Sequence, residues 1–272
     1  MSQTTATKPA GPPVALQTAS KADLIAKYNQ QAEGITSINA SVTMTLTAGS
    51  AYTGVIKQYH QITGFILAER PSNIRVIGQA PVVGTNIFDM VSDGQTFDIF
   101  IPSQNKFVTG PSNIERPSAK PIENLRPQHL VDAVFLRSIP ADAPVLIEQA
   151  ADATSQFYVL TVVRGDGGGP ENWNIARKIW FDRANLDIAR VETYDPDGKL
   201  LADVHYSGWD TFSGTRYPRQ ISLQRPANDY RLDIGVTKLT PNATIAADRF
   251  ILKQPPGTQL EHVGEDVPES TT

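Results

Sequence analysis

The chain has 272 residues, with 24 Lys+Arg against 28 Asp+Glu for a formal net charge of -4, 40% hydrophobic residues and no Cys. Such a length admits one or two domains with a core that needs no staples. The missing Cys excludes disulfides, zinc–thiolate sites, iron–sulfur clusters and cysteine nucleophiles, and the mild acidity argues against a nucleic-acid binder.

No stretch approaches the roughly 20 apolar residues of a membrane-spanning helix, and Met1-Ser2-Gln3-Thr4-Thr5 lacks the basic and apolar regions of a signal peptide. Taken alone, this implies a cytoplasmic protein or an exported one without its signal. Residues 1–19, with Lys8 as the only charge among Thr and Pro, read as a flexible tether. Residues 259–272, with Glu261, Glu265, Asp266 and Glu269, read as an acidic tail. Residues 20–258 are then a near-neutral folded body.

The first periodic segment predicts a helix over 20–34. Ser20 suits the N-cap with Asp23 three residues on, Gly34 suits the stop, and Leu24, Ile25, Tyr28 and Ala32 share a stripe. The period then becomes two: Val42, Met44 and Leu46 alternate with Ser and Thr. Strands are expected to continue through 51–68, with Gly54 and Gly64 as breaks or bulges. Ile74–Gly78, Thr85–Val91, Thr96–Ile101 and Lys106–Thr109 follow, with Asp93-Gly94 as a hairpin turn. Residues 110–126 are Pro-rich and irregular. Pro127, with Leu130, Val131, Val134 and Phe135 on one face, predicts a helix over 127–138 that Pro140 ends. Strands return at 145–149, 156–164, 175–183, 187–195, 199–207, 217–225 and 229–238. Asp166-Gly167-Gly168-Gly169-Pro170 is a loop, Asp197-Gly198 is a turn, and Arg249–Lys253 is a last strand before Pro255-Pro256-Gly257. With no βαβ alternation, the fold class is mainly β with two to three helices. A curved antiparallel sheet of about ten strands whose apolar face has only two short helices to cover it predicts an incomplete, half-open barrel with an apolar cavity.

Catalytic signatures are missing. His60, His129, His205 and His262 have no ligand-spaced partner, and there is no G-x-S-x-G elbow or Walker A loop. The Asp166 loop lacks the Lys-Ser/Thr of a phosphate cradle. Asp182, Asp187, Asp195 and Asp197 lack the twelve-residue calcium pattern. No enzyme activity, metal or cofactor is expected. A strand connection is usually polar, yet Gly78–Thr85 carries Pro81, Val82 and Val83 at its tip. Either the two Val fold back into the core or they form an exposed apolar finger. Ile87–Val91 and Phe97–Ile101 are bulky at both parities, so one parity lines a cavity and the other packs on a helix, or both are core.

Arg70-Pro71-Ser72-Asn73-Ile74-Arg75, then Ala80-Pro81-Val82-Val83-Gly84-Thr85, then Ser92-Asp93-Gly94-Gln95-Thr96-Phe97, resemble the LolA/LolB lipoprotein-sorting superfamily, and within it the LolB-like receptors. Asn124-Leu125-Arg126-Pro127-Gln128-His129-Leu130 is similar to that family's Leu-Arg helix. Lys178-Ile179-Trp180-Phe181-Asp182 before Asp197-Gly198, and Asp248-Arg249-Phe250-Ile251-Leu252 before Pro255-Pro256-Gly257, resemble its later strands. The resemblance spans about 20–258. It implies an incomplete antiparallel barrel lidded by helices, with acyl chains of lipoproteins or lipids bound in the cavity without catalysis.

On that basis Leu24, Tyr28, Phe88, Met90, Phe97, Ile99, Leu130 and Val134 are expected to line the lipid cavity. Pro81, Val82 and Val83 are expected to touch the membrane or a partner. The expected partners are acyl chains, a periplasmic carrier protein and the outer-membrane surface. The family's loop carries Leu where this chain has Val82 and Val83 in a loop one residue longer. LolB-like receptors are also anchored through an N-terminal Cys, absent here. The resemblance therefore implies a periplasmic, outer-membrane-anchored protein whose signal and Cys precede this sequence. The alternative is an envelope structural or interaction protein of the same fold with a filled core.

Overall fold

The computed structural model describes residues 15–49, 57–112, 126–165 and 173–263. Gly54, the Asp166–Pro170 loop, Asn124-Leu125, the tether up to residue 14 and Glu265, Asp266 and Glu269 of the tail lie outside those ranges.

Two helices and fifteen strands make up the described chain. Helix α1 is Lys21–Glu33. The strands β1 Ser37–Ala48, β2 Lys57–Gln58, β3 Ile62–Glu69, β4 Asn73–Gln79, β5 Asn86–Ser92, β6 Thr96–Ile101 and β7 Lys106–Pro111 follow. Helix α2 is Pro127–Val134. Then come β8 Val145–Ala151, β9 Gln156–Gly165, β10 Trp173–Asp182, β11 Ile188–Tyr194, β12 Leu200–Phe212, β13 Thr215–Arg225, β14 Tyr230–Pro241 and β15 Gln259–His262. All belong to one sheet in the order β15-β7-β6-β5-β4-β3-β1-β14-β13-β12-β11-β10-β9-β8, with β2 on β1. The sheet is curved and unclosed. Every pairing is antiparallel except β15 on β7.

Local chemistry accounts for most of these elements. Ser20 and Asp23 form a reciprocal capping box that starts α1. Asp93 Oδ1 accepts the backbone N–H groups of Gln95 and Thr96 and fixes the β5–β6 turn around Gly94, at φ 95°. Alternation along β1 buries Val42, Met44 and Leu46 on the face that the helices cover.

The structure also differs from the sequence reading. Among the described residues the sheet has fifteen strands, not about ten. Helix α2 stops at Val134, four residues short of the expected end. From Phe135 the chain is extended, and its carbonyls serve arginines of the sheet. Arg249–Lys253 is no strand: Ala247–Phe250 is a 3-10 turn whose Arg249 carbonyl accepts from Arg75. The last strand is β15, inside the segment read as acidic tail, where Lys106 pairs with Glu261 at 2.6 Å.

Gly64 is neither break nor bulge. It sits in unshifted register opposite Val42 and Gly78, where a Cβ would overlap the Ile77 carbonyl. A Cβ on Gly78 would meet the Phe88 ring. Gly78 is the notch into which Phe88 folds.

Candidate functional site

The site is the inner face of the sheet beneath α1 and α2. Leu24 and Tyr28 of α1 are completely buried, as is Leu130 of α2; Met90 and Val134 join the same core cluster. Phe88 and Ile99 pack against that cluster half-buried. Phe97 is buried outside it, beneath the Arg126 guanidinium 5.0 Å from its ring. The eight residues expected to line a cavity therefore all lie on the helix-covered face or on the helices. In this structure they fill the interior. The space beside the lid lined by Ala32, Ile35, Arg70, Val134, Phe135 and Tyr206 measures about 10 Å³, room for one water.

Polar side chains of the sheet hold the lid down. Arg70, at the end of β3, donates from Nε to the Ile35 carbonyl at 2.9 Å. Its Nη2 donates to Ala32 of α1 at 2.8 Å and to Leu136 beyond α2 at 2.7 Å. One guanidinium thus closes the C-terminal ends of both helical segments, and it also lies 4.8 Å over the Phe135 ring. Burial lowers its pKa, yet an Arg stays charged in all accessible conditions.

Arg177 of β10 donates to the carbonyls of Arg137 and Ser138. The Tyr206 and Tyr217 hydroxyls donate to Ala133 and Val134 at 3.1 and 3.0 Å. Asn29 of α1 ties to Ile139 in both directions. Burial raises the pKa of both Tyr206 and Tyr217, which keeps them as donors. At the other end of α2, His129 Nδ1 meets the Tyr230 hydroxyl at 2.7 Å and its Nε2 meets Arg225. Burial, then Arg225 and Arg126, lower the His129 pKa to about 3.

Two buried polar groups of the lid helices, the Tyr28 hydroxyl of α1 and Gln128 Oε1 of α2, have no hydrogen-bond partner among the described residues. Tyr28 lies within the core cluster. Burial raises its pKa and the neighbouring Arg177 offsets part of that rise. A buried donor of this kind costs roughly 1–3 kcal/mol.

The β4–β5 connection projects from one end of the sheet. Val82 is fully exposed and Val83 is 73% exposed; neither folds back into the core. A backbone bond from Gly84 to Ala80 closes the turn, with Ala80 returning one to Thr85. Val82 sits at φ 72°, a left-handed conformation that β-branched side chains avoid.

Sequence reasoning missed Arg70 and Arg177. Arg70 stands in a motif quoted above, but no spacing links it to carbonyls up to 66 positions away. Among the described residues no group of three His, Cys, Asp or Glu could hold a metal ion, and no described helix is long and apolar enough to cross a membrane.

No protein-family model matches the chain, and no curated protein matches it in sequence. Solved structures do match in fold. A LolA superfamily protein from Nitrosomonas europaea is 13% identical over 87% of this chain and 99% of its own, with a TM-score of 0.51. A DUF1329 family protein from Desulfovibrio piger is 12% identical over 84% of this chain and 95% of its own, with a TM-score of 0.52. The fold defined here is the helix-lidded, unclosed barrel of the LolA type.

Proposed function

We propose that this protein binds the acyl chains of lipoproteins or lipids, without catalysis, beneath a lid formed by α1 and α2, and hands them on at the bacterial outer membrane. The observation that carries the reading is the Arg70 latch. A single side chain bonds the carbonyls of both lid segments, so the lid is fastened by a few polar contacts rather than by a continuous backbone ladder. Opening it uncovers an apolar face including Leu24, Tyr28, Phe88, Met90, Phe97, Ile99, Leu130 and Val134.

Each buried methylene of an acyl chain contributes about 0.8 kcal/mol, so a chain of ordinary length offsets the loss of several hydrogen bonds. The ester carbonyl of a bound chain would give the Tyr28 hydroxyl its missing acceptor. Pro81, Val82 and Val83 form the contact with the membrane surface, the strained Val82 being held outward. The partners on this reading are acylated proteins, a periplasmic carrier and the outer-membrane surface; the location is periplasmic, with a lipid anchor.

The filled interior favours a second reading, an envelope interaction protein that keeps its lid shut. Titration with a fluorescent fatty-acyl probe separates the two. Saturable fluorescence that an unlabelled fatty acid displaces supports acyl binding; no displaceable signal at micromolar protein overturns it in favour of the second reading.

A further inference from the structure

The two edges of the sheet are treated differently by the chain. At one edge β7 is covered by β15, four residues of the chain's own C-terminal region lying parallel to it. At the other edge β8 is the last strand, and among the described residues no strand lies beyond it.

Strand β8 has seven residues, Val-Leu-Ile-Glu-Gln-Ala-Ala, paired with β9 in unbroken register from Val145↔Val162 to Ala151↔Gln156. Natural edges are blunted by proline, bulges, charge or a covering segment. This strand has no proline and no bulge, and its one charge is Glu148. Its apolar side chains stand exposed on both faces: Leu146 at 65% on the outer face and Ile147 at 40% on the inner. Ile175 and Trp173 of β10, opposite Val163 and Gly165 of β9, are also exposed.

The direction of the backbone groups follows from the ladder. The Val163 N–H donates to the Pro144 carbonyl at 3.0 Å. In an antiparallel pair, residues alternate between bonding their partner and pointing away from it. Residues 144, 146, 148 and 150 therefore bond inward to β9, while 145, 147, 149 and 151 face the open side. Lys21 Nζ already takes the Val145 carbonyl at 3.1 Å, as that alternation requires. Ile147 and Gln149 are left presenting both N–H and C=O outward, about 7 Å apart.

We propose that β8 is a docking edge for an extended segment of another polypeptide, which adds to the sheet as a further strand. Only an extended backbone meets donors and acceptors at this spacing. The side chains define the segment. It carries an apolar residue opposite Leu146 and a basic residue beside Glu148, whose side chain is 59% exposed and whose own partner, Lys178, stands 3.9 Å away. The charge also argues against a second copy of this chain. Self-pairing about the strand centre sets Glu148 against Glu148 or against the apolar Leu146, where like or unpaired charge is unfavourable.

The test uses the full chain and a fluorescein-labelled peptide, Thr-Val-Thr-Lys-Thr-Val-Thr, followed by fluorescence anisotropy. Ile147→Pro removes one outward N–H that β9 does not use, so the fold tolerates it. Ile147→Val keeps that N–H and serves as control; circular dichroism and thermal melting confirm that both variants fold. The expected result is saturable binding to the wild type and to Ile147→Val, about tenfold weaker or worse in Ile147→Pro, and weaker for a peptide with Glu in place of its Lys. Absence of saturable peptide binding, or binding that Ile147→Pro leaves intact, overturns the proposal. So does sedimentation showing wild-type dimers that Ile147→Pro dissociates, which would make the occupant a second copy. Acyl-probe binding is read on the same samples, so failure of the edge and failure of the lid are seen separately.

Discussion

Replacing Arg70 by Met keeps most of the side chain's volume and removes the latch. Three charge-assisted bonds of 2.7–2.9 Å are lost, each worth at least about 1.5 kcal/mol net in a buried setting. Arg70 is only half-buried and the freed carbonyls at the lid margin reach water, which lowers the sum to about 2–4 kcal/mol. Those bonds fasten the lid and not the sheet, so the loss falls on local opening more than on global unfolding. At about 1.4 kcal/mol per factor of ten, the open state becomes roughly 30- to 900-fold more populated. Native-state hydrogen exchange reads this directly: amides of 21–34 and 127–139 exchange faster by that factor, while those of β1, β13 and β14 change far less. Affinity for an acyl probe rises, because less of the binding energy goes into opening. Equal acceleration across lid and sheet, or unchanged lid exchange, would refute the latch.

Other outcomes follow from single residues. Val82→Gly relieves a β-branched side chain at φ 72° and stabilises the fold by about 1 kcal/mol in urea titration, whereas Val82→Glu with Val83→Glu leaves stability within about 0.5 kcal/mol and reduces transfer of a labelled acyl ligand to liposomes; unchanged transfer removes the loop from the mechanism. Gly78→Ala drives a Cβ into the Phe88 ring and costs about 1–3 kcal/mol by overpacking, part of which Phe88→Leu restores in a double-mutant cycle. His129 titrates near 3 in the fold against about 6.5 when unfolded. The unfolded chain therefore takes up the proton first, and stability present above pH 6.5 is lost as pH falls from there toward 3, by up to about 1.4 kcal/mol per unit. His129→Gln flattens that slope in urea titrations at successive pH values, and an unchanged slope would place the charge elsewhere.

What the sequence disclosed was whatever local chemistry or short-range alternation decides. Ser20 and Asp23 mark the start of α1 because the capping box is contained in four residues. Asp93-Gly94 marks its turn because Asp93 bonds backbone groups two and three positions on. The alternation of Val42, Met44 and Leu46 carries over unchanged into burial. The end of α2 was not legible. Phe135 and Leu136 continue the apolar pattern, and the helix stops where the carbonyls of Leu136 and Ser138 are taken by Arg70 and Arg177 from distant strands.

Strand β15 was hidden for a similar reason. Gln259–His262 is short and polar, and its place is set by β7, some 150 positions away, and by the Lys106–Glu261 pair. Gly64 looked like a break because a glycine in a strand is ambiguous until the neighbouring backbone is seen. The candidate lining residues could be named from bulk and parity. The Arg70 bonds to the helical segments above them could not, since they join one side chain to backbone carbonyls, which carry no sequence signal.

The central claim is that acyl chains enter the interior beneath α1 and α2, and photolabelling tests it most directly. The protein is irradiated with a diazirine-bearing fatty acid, and the adducts are mapped by mass spectrometry, in the wild type and in Arg70→Met. The account predicts adducts on Leu24, Tyr28, Met90, Leu130 and Val134, suppressed by excess unlabelled fatty acid and more abundant in Arg70→Met. Adducts confined to exposed positions such as Val82, Leu146 or Trp173, with none on the inner face in either protein, would contradict it.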